Sequence, residues 1–289
     1  MKSNYYLPEP SAWPMIATMG IFCAVAGGAN WLHGRTIGPI LFGLGFLLIV
    51  YILFGWFGTV IGECRAGLLN DAQVDRSFRW CMAWFIFSEV MFFATFFGAL
   101  FYARVLSVPW LGGSGHGAMT HLLMWPGFQA VWPVLNNPDP NLFQGPQSVM
   151  ETWGIPAINT AILLTSGLTI TVAHWAVVSH KRMLAIVFQL LTVLLGVAFL
   201  CMQVHEYTIA YLEKGLTLAS GIYGTTFFLL TGFHCLHVTI GTIALIVILW
   251  RLFKNDFTPK HHFAFEGVAW YWHFVDVVWL GLFVFVYWI

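Results

Sequence analysis

The stretch WCMAWFIFSEVMFFATFFGALFY, residues 80–102, runs for twenty-three residues with one carboxylate, Glu89. About twenty apolar residues are what an α-helix needs to cross a bilayer, so the run reads as a membrane span. The rest of the chain agrees. Of its 289 residues 59% are hydrophobic and 8% charged, against roughly 25% charged in a soluble domain. The apolar residues fall in long blocks, not in the short alternating runs of an outer-membrane barrel. The expected fold class is therefore an all-α membrane protein.

Taking each apolar block as one crossing places helices near 14–33, 38–60, 78–106, 156–179, 184–206, 219–251 and 267–288, seven in all. Pro14, HGRTIGP at the first turn and SHKRM at 179–183 punctuate them. This divides the chain into a 1–77 segment with two transmembrane helices and a five-helix bundle over 78–289, with a long outer loop at 107–152. If the N-terminus is cytoplasmic, that side receives Lys2, Arg65, Arg76, Arg79, Lys181, Arg182, Arg251, Lys254 and Lys260, leaving Arg35, Arg104 and Lys214 outside. Lys and Arg set orientation, so the C-terminus is expected outside. The 107–152 connection has no Lys or Arg and many aromatics. A structured outer lid is expected, with MTHLLMWPGFQAVWPVL as an interfacial helix or cover.

Net charge is zero, which offers no basic face to a nucleic acid. The N-terminus has no cleavable-signal pattern, and the five cysteines have no CxxC spacing and read as reduced, buried thiols. No nucleotide-binding Gly-rich loop, Ser/His/Asp arrangement or zinc-type spacing is present, so no catalytic residue is assigned.

Ionisable residues inside spans mark functional sites by default. Glu89 lies in the third span, His234 and His237 in the sixth (TGFHCLHVTIG), and His273 and Asp276 in the seventh (AWYWHFVDVVWL). At 1.5 Å per residue, Glu89 lies about 16 Å from the cytoplasmic end, His237 about 21 Å, and His273 and Asp276 about 10 and 15 Å. They share a layer. A carboxylate at that depth costs a few kcal/mol, so Glu89 is expected to be neutral or hydrogen-bonded across to a histidine; its neighbours one turn away on its own helix are Phe and Ile. The alternatives are an interhelical bond to the sixth or seventh span and a proton-handling group. His234 and His237 are expected to bond backbone or hydroxyl groups such as Thr231, and His273 and Asp276, three apart, to satisfy each other. A second group sits at the cytoplasmic boundary: Trp56, Glu63, Arg65, His174, Arg251, Lys254, His261, His262 and Glu266. It fits either an anionic phospholipid headgroup or plain orienting charge.

The run HHFAFEGVAWYWHFVDVVWLGLFVFVYWI at 261–289 closely resembles the ending of subunit III of the haem–copper cytochrome c oxidases. GIYGTTFFLLTGFHCLHVTIGT (221–242), FSEVMFF (87–93), IPAINTAILLTSGLTITVAHW (155–175) and PSAWPMI (10–16) resemble that family's segments in its order. The resemblance implies two helices followed by five, with a lipid-filled cleft between the groups. It also implies a supporting subunit with no cofactor of its own, haem and copper lying in the partner subunits I and II, and cytochrome c as substrate of the complex. The presence of the first two helices favours a cytochrome c oxidase over a quinol oxidase. Glu89 falls on the family's intramembrane glutamate, beside the lipid cleft and a suggested oxygen route to subunit I. Trp56, Glu63, His174 and Arg251 fall on positions associated with bound phospholipid. Trp175 stands where many members have a second His, and the 107–152 connection is longer than in many relatives. That connection and the overall length point to a bacterial cytoplasmic membrane, with the mitochondrial inner membrane as the alternative. Rival readings are a membrane cytochrome using His234, His237 and His273 as haem ligands, and a transporter with Glu89 as its proton-coupling group; the lack of repeats weighs against the latter.

Overall fold

A computed structural model describes residues 10–68 and 71–289, so Lys2 lies outside the described residues. Among the described residues, seven helices are long and apolar enough to cross a membrane. They are α1 (Trp13–Leu32), α2 (Ile37–Arg65), α3 (Ala72–Phe101), α6 (Ile155–Val178), α7 (Arg182–Leu212), α8 (Ile222–Phe253) and α9 (Phe263–Leu282). Two short helices, α4 (Val108–Leu111) and α5 (Ala118–Met124), lie in the long connection. Among the described residues there is no strand. The chain is an all-α membrane protein. Pro near the first position starts α1 and α6, where its missing N–H costs nothing. Gly34, at φ +70°, turns α1 into α2.

Several boundaries differ from the sequence reading: α2 runs on to Arg65, α3 begins at Ala72 and α9 at Phe263. The third span continues past Phe101 through a π-helical turn, Tyr102–Ser107, into α4. The fifth runs six residues beyond the expected end at 206, because the polar residues QVHE at 203–206 continue the helix. A second π turn, Phe283–Trp288, ends the last span.

Contacts divide the chain into two compact units, 1–79 and 80–289. In the first, α1 and α2 pair closely. Their buried residues recur every seventh position, Gly20 and Gly27 on α1 and Gly38, Gly45 and Ile52 on α2. A Cβ on Gly27 would lie 2.2 Å from the Phe42 backbone nitrogen, and one on Gly45 2.3 Å from that of Ala24. Backbones meet here as at small-residue interfaces between membrane helices.

In the second unit α6, α7, α8 and α9 form the core, with Trp272, Trp279, Phe199, Phe227 and Phe265 buried inside. Both core indoles find acceptors: Trp272 Nε1–H donates to Ser166 Oγ at 2.8 Å and Trp279 Nε1–H to Thr160 Oγ1 at 2.9 Å. α3 joins through long side chains, among them Phe92 against Phe233 and Phe93 against Phe274, with ring centroids 5.1 and 6.1 Å apart.

The 107–152 connection is built, not loose. Val108, Phe128 and Val134 form a small core of their own with Trp125 and Trp132. Asn137 Nδ2–H donates to the Ser220 carbonyl, and the Gln147 amide to that of Lys214. The expected interfacial helix is confined to α5, because Pro126 and Pro133 interrupt the rest. No disulfide forms among the described residues, but the thiols are not buried as expected: Cys81 and Cys201 are exposed. An apolar run in a membrane helix supplies outward faces as well as the core.

Candidate functional site

Glu89 finds its partner on α8. Its Oε2 lies 2.9 Å from His237 Nε2. The other ring nitrogen, Nδ1–H, donates to the Phe233 carbonyl one turn back at 2.7 Å. A carbonyl only accepts, so Nδ1 must carry a hydrogen. The bond to Glu89 then holds one shared proton, either on the carboxyl, donating to Nε2, or on the ring, donating to the carboxylate. In both forms the pair has no net charge, which is how it tolerates a bilayer.

The pair is set among aromatic rings. Phe93 stands edge-on to the His237 ring at 5.0 Å, with Phe92 at 5.9 Å, and Tyr271 stacks at 6.4 Å. Tyr271 also donates its hydroxyl to the His237 carbonyl at 3.4 Å. The side chains are 22% (Glu89) and 11% (His237) exposed, so the carboxyl edge faces outward from the unit. The interhelical bond to the sixth span, one of the alternatives open in the sequence, is formed.

The other intramembrane residues do not join this pair. His234 is buried and its Nε2–H donates to the Val275 carbonyl at 3.1 Å, not to Thr231. Thr231 bonds Tyr207 instead, hydroxyl to hydroxyl, at 2.8 Å. His273 and Asp276 satisfy each other only in part. Their nearest atoms are 3.7 Å apart, longer than a hydrogen bond, because His273 turns its Nε2 to Thr171 Oγ1 at 3.2 Å. Asp276 Oδ1 is buried without a partner among the described residues.

These rings do not fit a haem. Both nitrogens of His237 are engaged, and the His234 ring is packed between Trp279 and Phe199 at 5.1 and 5.8 Å. The purified chain is expected to show no Soret band after incubation with hemin, whereas a stoichiometric band lost in His237→Leu would establish ligation.

The boundary residues divide between the units. Trp56 and Arg65 are exposed on α2, with Glu63 half-buried between them. In the second unit Arg251 is buried, its Nε–H 3.3 Å from Asp256 Oδ2 and its guanidinium 4.6 Å over the Phe257 ring. Lys254 is exposed and lies 5.8 Å from the Trp250 ring, and His261 is exposed. His174 from α6 meets His262, and with Glu266 of α9 their ligand atoms all lie within 4.8 Å of one another. Two imidazoles and a carboxylate are a donor set that a zinc ion takes. Sequence reading placed all three in the boundary group but did not single out the trio, because His174 comes from α6 and His262 and Glu266 from the start of α9.

Sequence reading missed a buried carboxylate. Glu206 on α7 has no exposed surface and accepts from Gln203 Nε2–H at 3.1 Å. The signal was available: QVHE at 203–206 sets polar residues against the end of an apolar run.

The family model for cytochrome c oxidase subunit III matches residues 3–122 and 143–289. The unmatched 123–142 fall within the long connection. The chain is 39% identical over 287 residues to cytochrome c oxidase subunit 3 of Marchantia polymorpha, covering 99% of this chain and 97% of that one. It is also 39% identical over 284 residues to the Latimeria chalumnae protein of the same name, at 98% and 96% coverage. With the match running through the Glu89 and His237 helices and on to the last span, the chain belongs to the cytochrome c oxidase subunit III family.

Proposed function

We propose that this chain is the non-redox supporting subunit of a proton-pumping cytochrome c oxidase, packed against subunit I and near subunit II, while the complex passes electrons from cytochrome c to O2. The observation that carries the reading is the Glu89–His237 bond. It places the chain's central acid in a neutral, self-contained pair at the edge of an aromatic wall, a surface suited to lipid tails and dissolved oxygen. Haem and copper belong to the partner subunits. Cytochrome c, not a quinol, is the donor; the named relatives and the presence of α1 and α2 support this.

Bound phospholipid is part of the proposal. Trp56 and Arg65 on α2, and Lys254 and His261 beyond α8, offer aromatic and basic contacts to headgroups. Arg251 acts from beneath, fixing the turn that carries Lys254 through Asp256. The membrane is a respiratory one, with the N-terminus on the cytoplasmic or matrix side. The relatives named above are a plant and an animal, and they lend no support to a specifically bacterial membrane.

The test is removal. Oxidase stripped of this chain is expected to retain most of its initial O2 reduction and to lose activity over successive turnovers. Immediate and complete loss with intact haem spectra would place this chain in the chemistry itself.

A further inference from the structure

Away from Glu89, four buried polar side chains from three spans meet in the second unit. They are Asn159 on α6, Gln203 and Glu206 on α7, and Tyr287 in the π turn that ends the last span. Asn159 and Glu206 are 0% exposed, Gln203 1% and Tyr287 7%. Direct contacts settle part of their bonding. Asn159 Nδ2–H donates to Gln203 Oε1 at 3.5 Å, and Gln203 Nε2–H donates to Glu206 Oε2 at 3.1 Å. Three atoms make no hydrogen bond of regular geometry among the described residues: Asn159 Oδ1, Glu206 Oε1 and the Tyr287 hydroxyl, the last lying close to Glu206 and Gln203.

The rest of the surroundings is mostly aromatic. The Tyr287 ring packs against Phe227 and Trp279, with centroids 5.5 and 6.0 Å away. Thr152, at the end of the long connection, binds the Tyr287 carbonyl and ties the chain down there. The π turn itself is of a kind often found at functional sites.

What is left over is two acceptors and one O–H group. A water molecule matches that inventory, donating to Asn159 Oδ1 and Glu206 Oε1 while accepting from the Tyr287 hydroxyl. Buried waters take two to four such partners. A divalent cation matches poorly, because calcium takes six to eight oxygens, usually from several carboxylates, and Glu206 is the one carboxylate in the group. We propose that Asn159, Glu206 and Tyr287 bind one internal water that joins α6, α7 and the end of the last span.

The experiment is a structure of the assembled oxidase at a resolution that shows ordered water, with the Tyr287→Phe and Glu206→Gln variants alongside. One isolated peak within about 3.2 Å of Asn159 Oδ1, Glu206 Oε1 and the Tyr287 hydroxyl is expected. It should be lost or weakened in Tyr287→Phe and kept in Glu206→Gln, whose amide oxygen still accepts. Direct pairing of Tyr287 with Glu206 and no separate peak would overturn the proposal. So would a peak ringed by six or more oxygens at about 2.3–2.6 Å, the signature of a cation. If Tyr287→Phe does not assemble, the wild type and Glu206→Gln decide.

Discussion

His237→Leu is expected to weaken the second unit by about 3 kcal/mol, and adding Glu89→Leu to it should restore more than half of that loss. Breaking a buried ion-pair partnership costs about 3–5 kcal/mol because the surviving group is stranded. Glu89 is 22% exposed, which puts this case at the low end. The bond itself is worth less, about 0.6 kcal/mol on average for polar contacts between membrane helices. Removing both partners therefore forfeits a small gain and avoids the large penalty. Glu89→Gln should be milder than either single leucine variant, since its amide N–H can donate to His237 Nε2. The measurement is thermal or denaturant unfolding of the assembled oxidase at fixed protein concentration, following release of this subunit. A double variant no better than His237→Leu would mean that the penalty arises from packing among Phe92, Phe93 and Tyr271, and not from the stranded acid.

The second large effect is expected in the hairpin. Gly27→Leu and Gly45→Leu should each separate α1 from α2, because the new Cβ alone would sit 2.2 or 2.3 Å from a facing backbone nitrogen. Overpacking costs about 1–3 kcal/mol where side chains can give way. A backbone cannot, so the loss should reach or exceed the top of that range. Gly43→Ala and Gly58→Ala serve as controls, with nothing within 4 Å of the added carbon. They should be neutral or slightly stabilising, since Ala favours helix over Gly. Cross-linking of cysteine pairs placed along the hairpin reads the outcome: loss of cross-links in the leucine variants only is expected, and equal yields in all four would show that the close approach is not needed.

Why the spans were legible and their partners were not has a physical basis. Hydropathy is a local sum over some twenty residues, so the spans α1–α3 and α6–α9 announce themselves, while their ends, such as QVHE before Tyr207, are placed less well. A layer of polar groups could also be counted from helical rise, which put Glu89 and His237 within reach of each other. The choice between His237 and His273 could not be made that way, because it depends on how α8 and α9 are rotated about their axes. The same holds for His174, His262 and Glu266, and for Asn159 with Glu206. Each group is assembled across helices, and a single sequence carries no record of which faces meet.

The Glu89–His237 bond joins residues 148 positions apart, and this separation has a meaning in time. At about 5–20 residues per second, the helix bearing Glu89 is made roughly 7–30 s before its histidine exists. For that interval the acid has no mate within its own chain. An acid without a partner is costly in a bilayer, so α3 bears that cost until α8 is made. Arrival of α8 ends that interval by closing the bond.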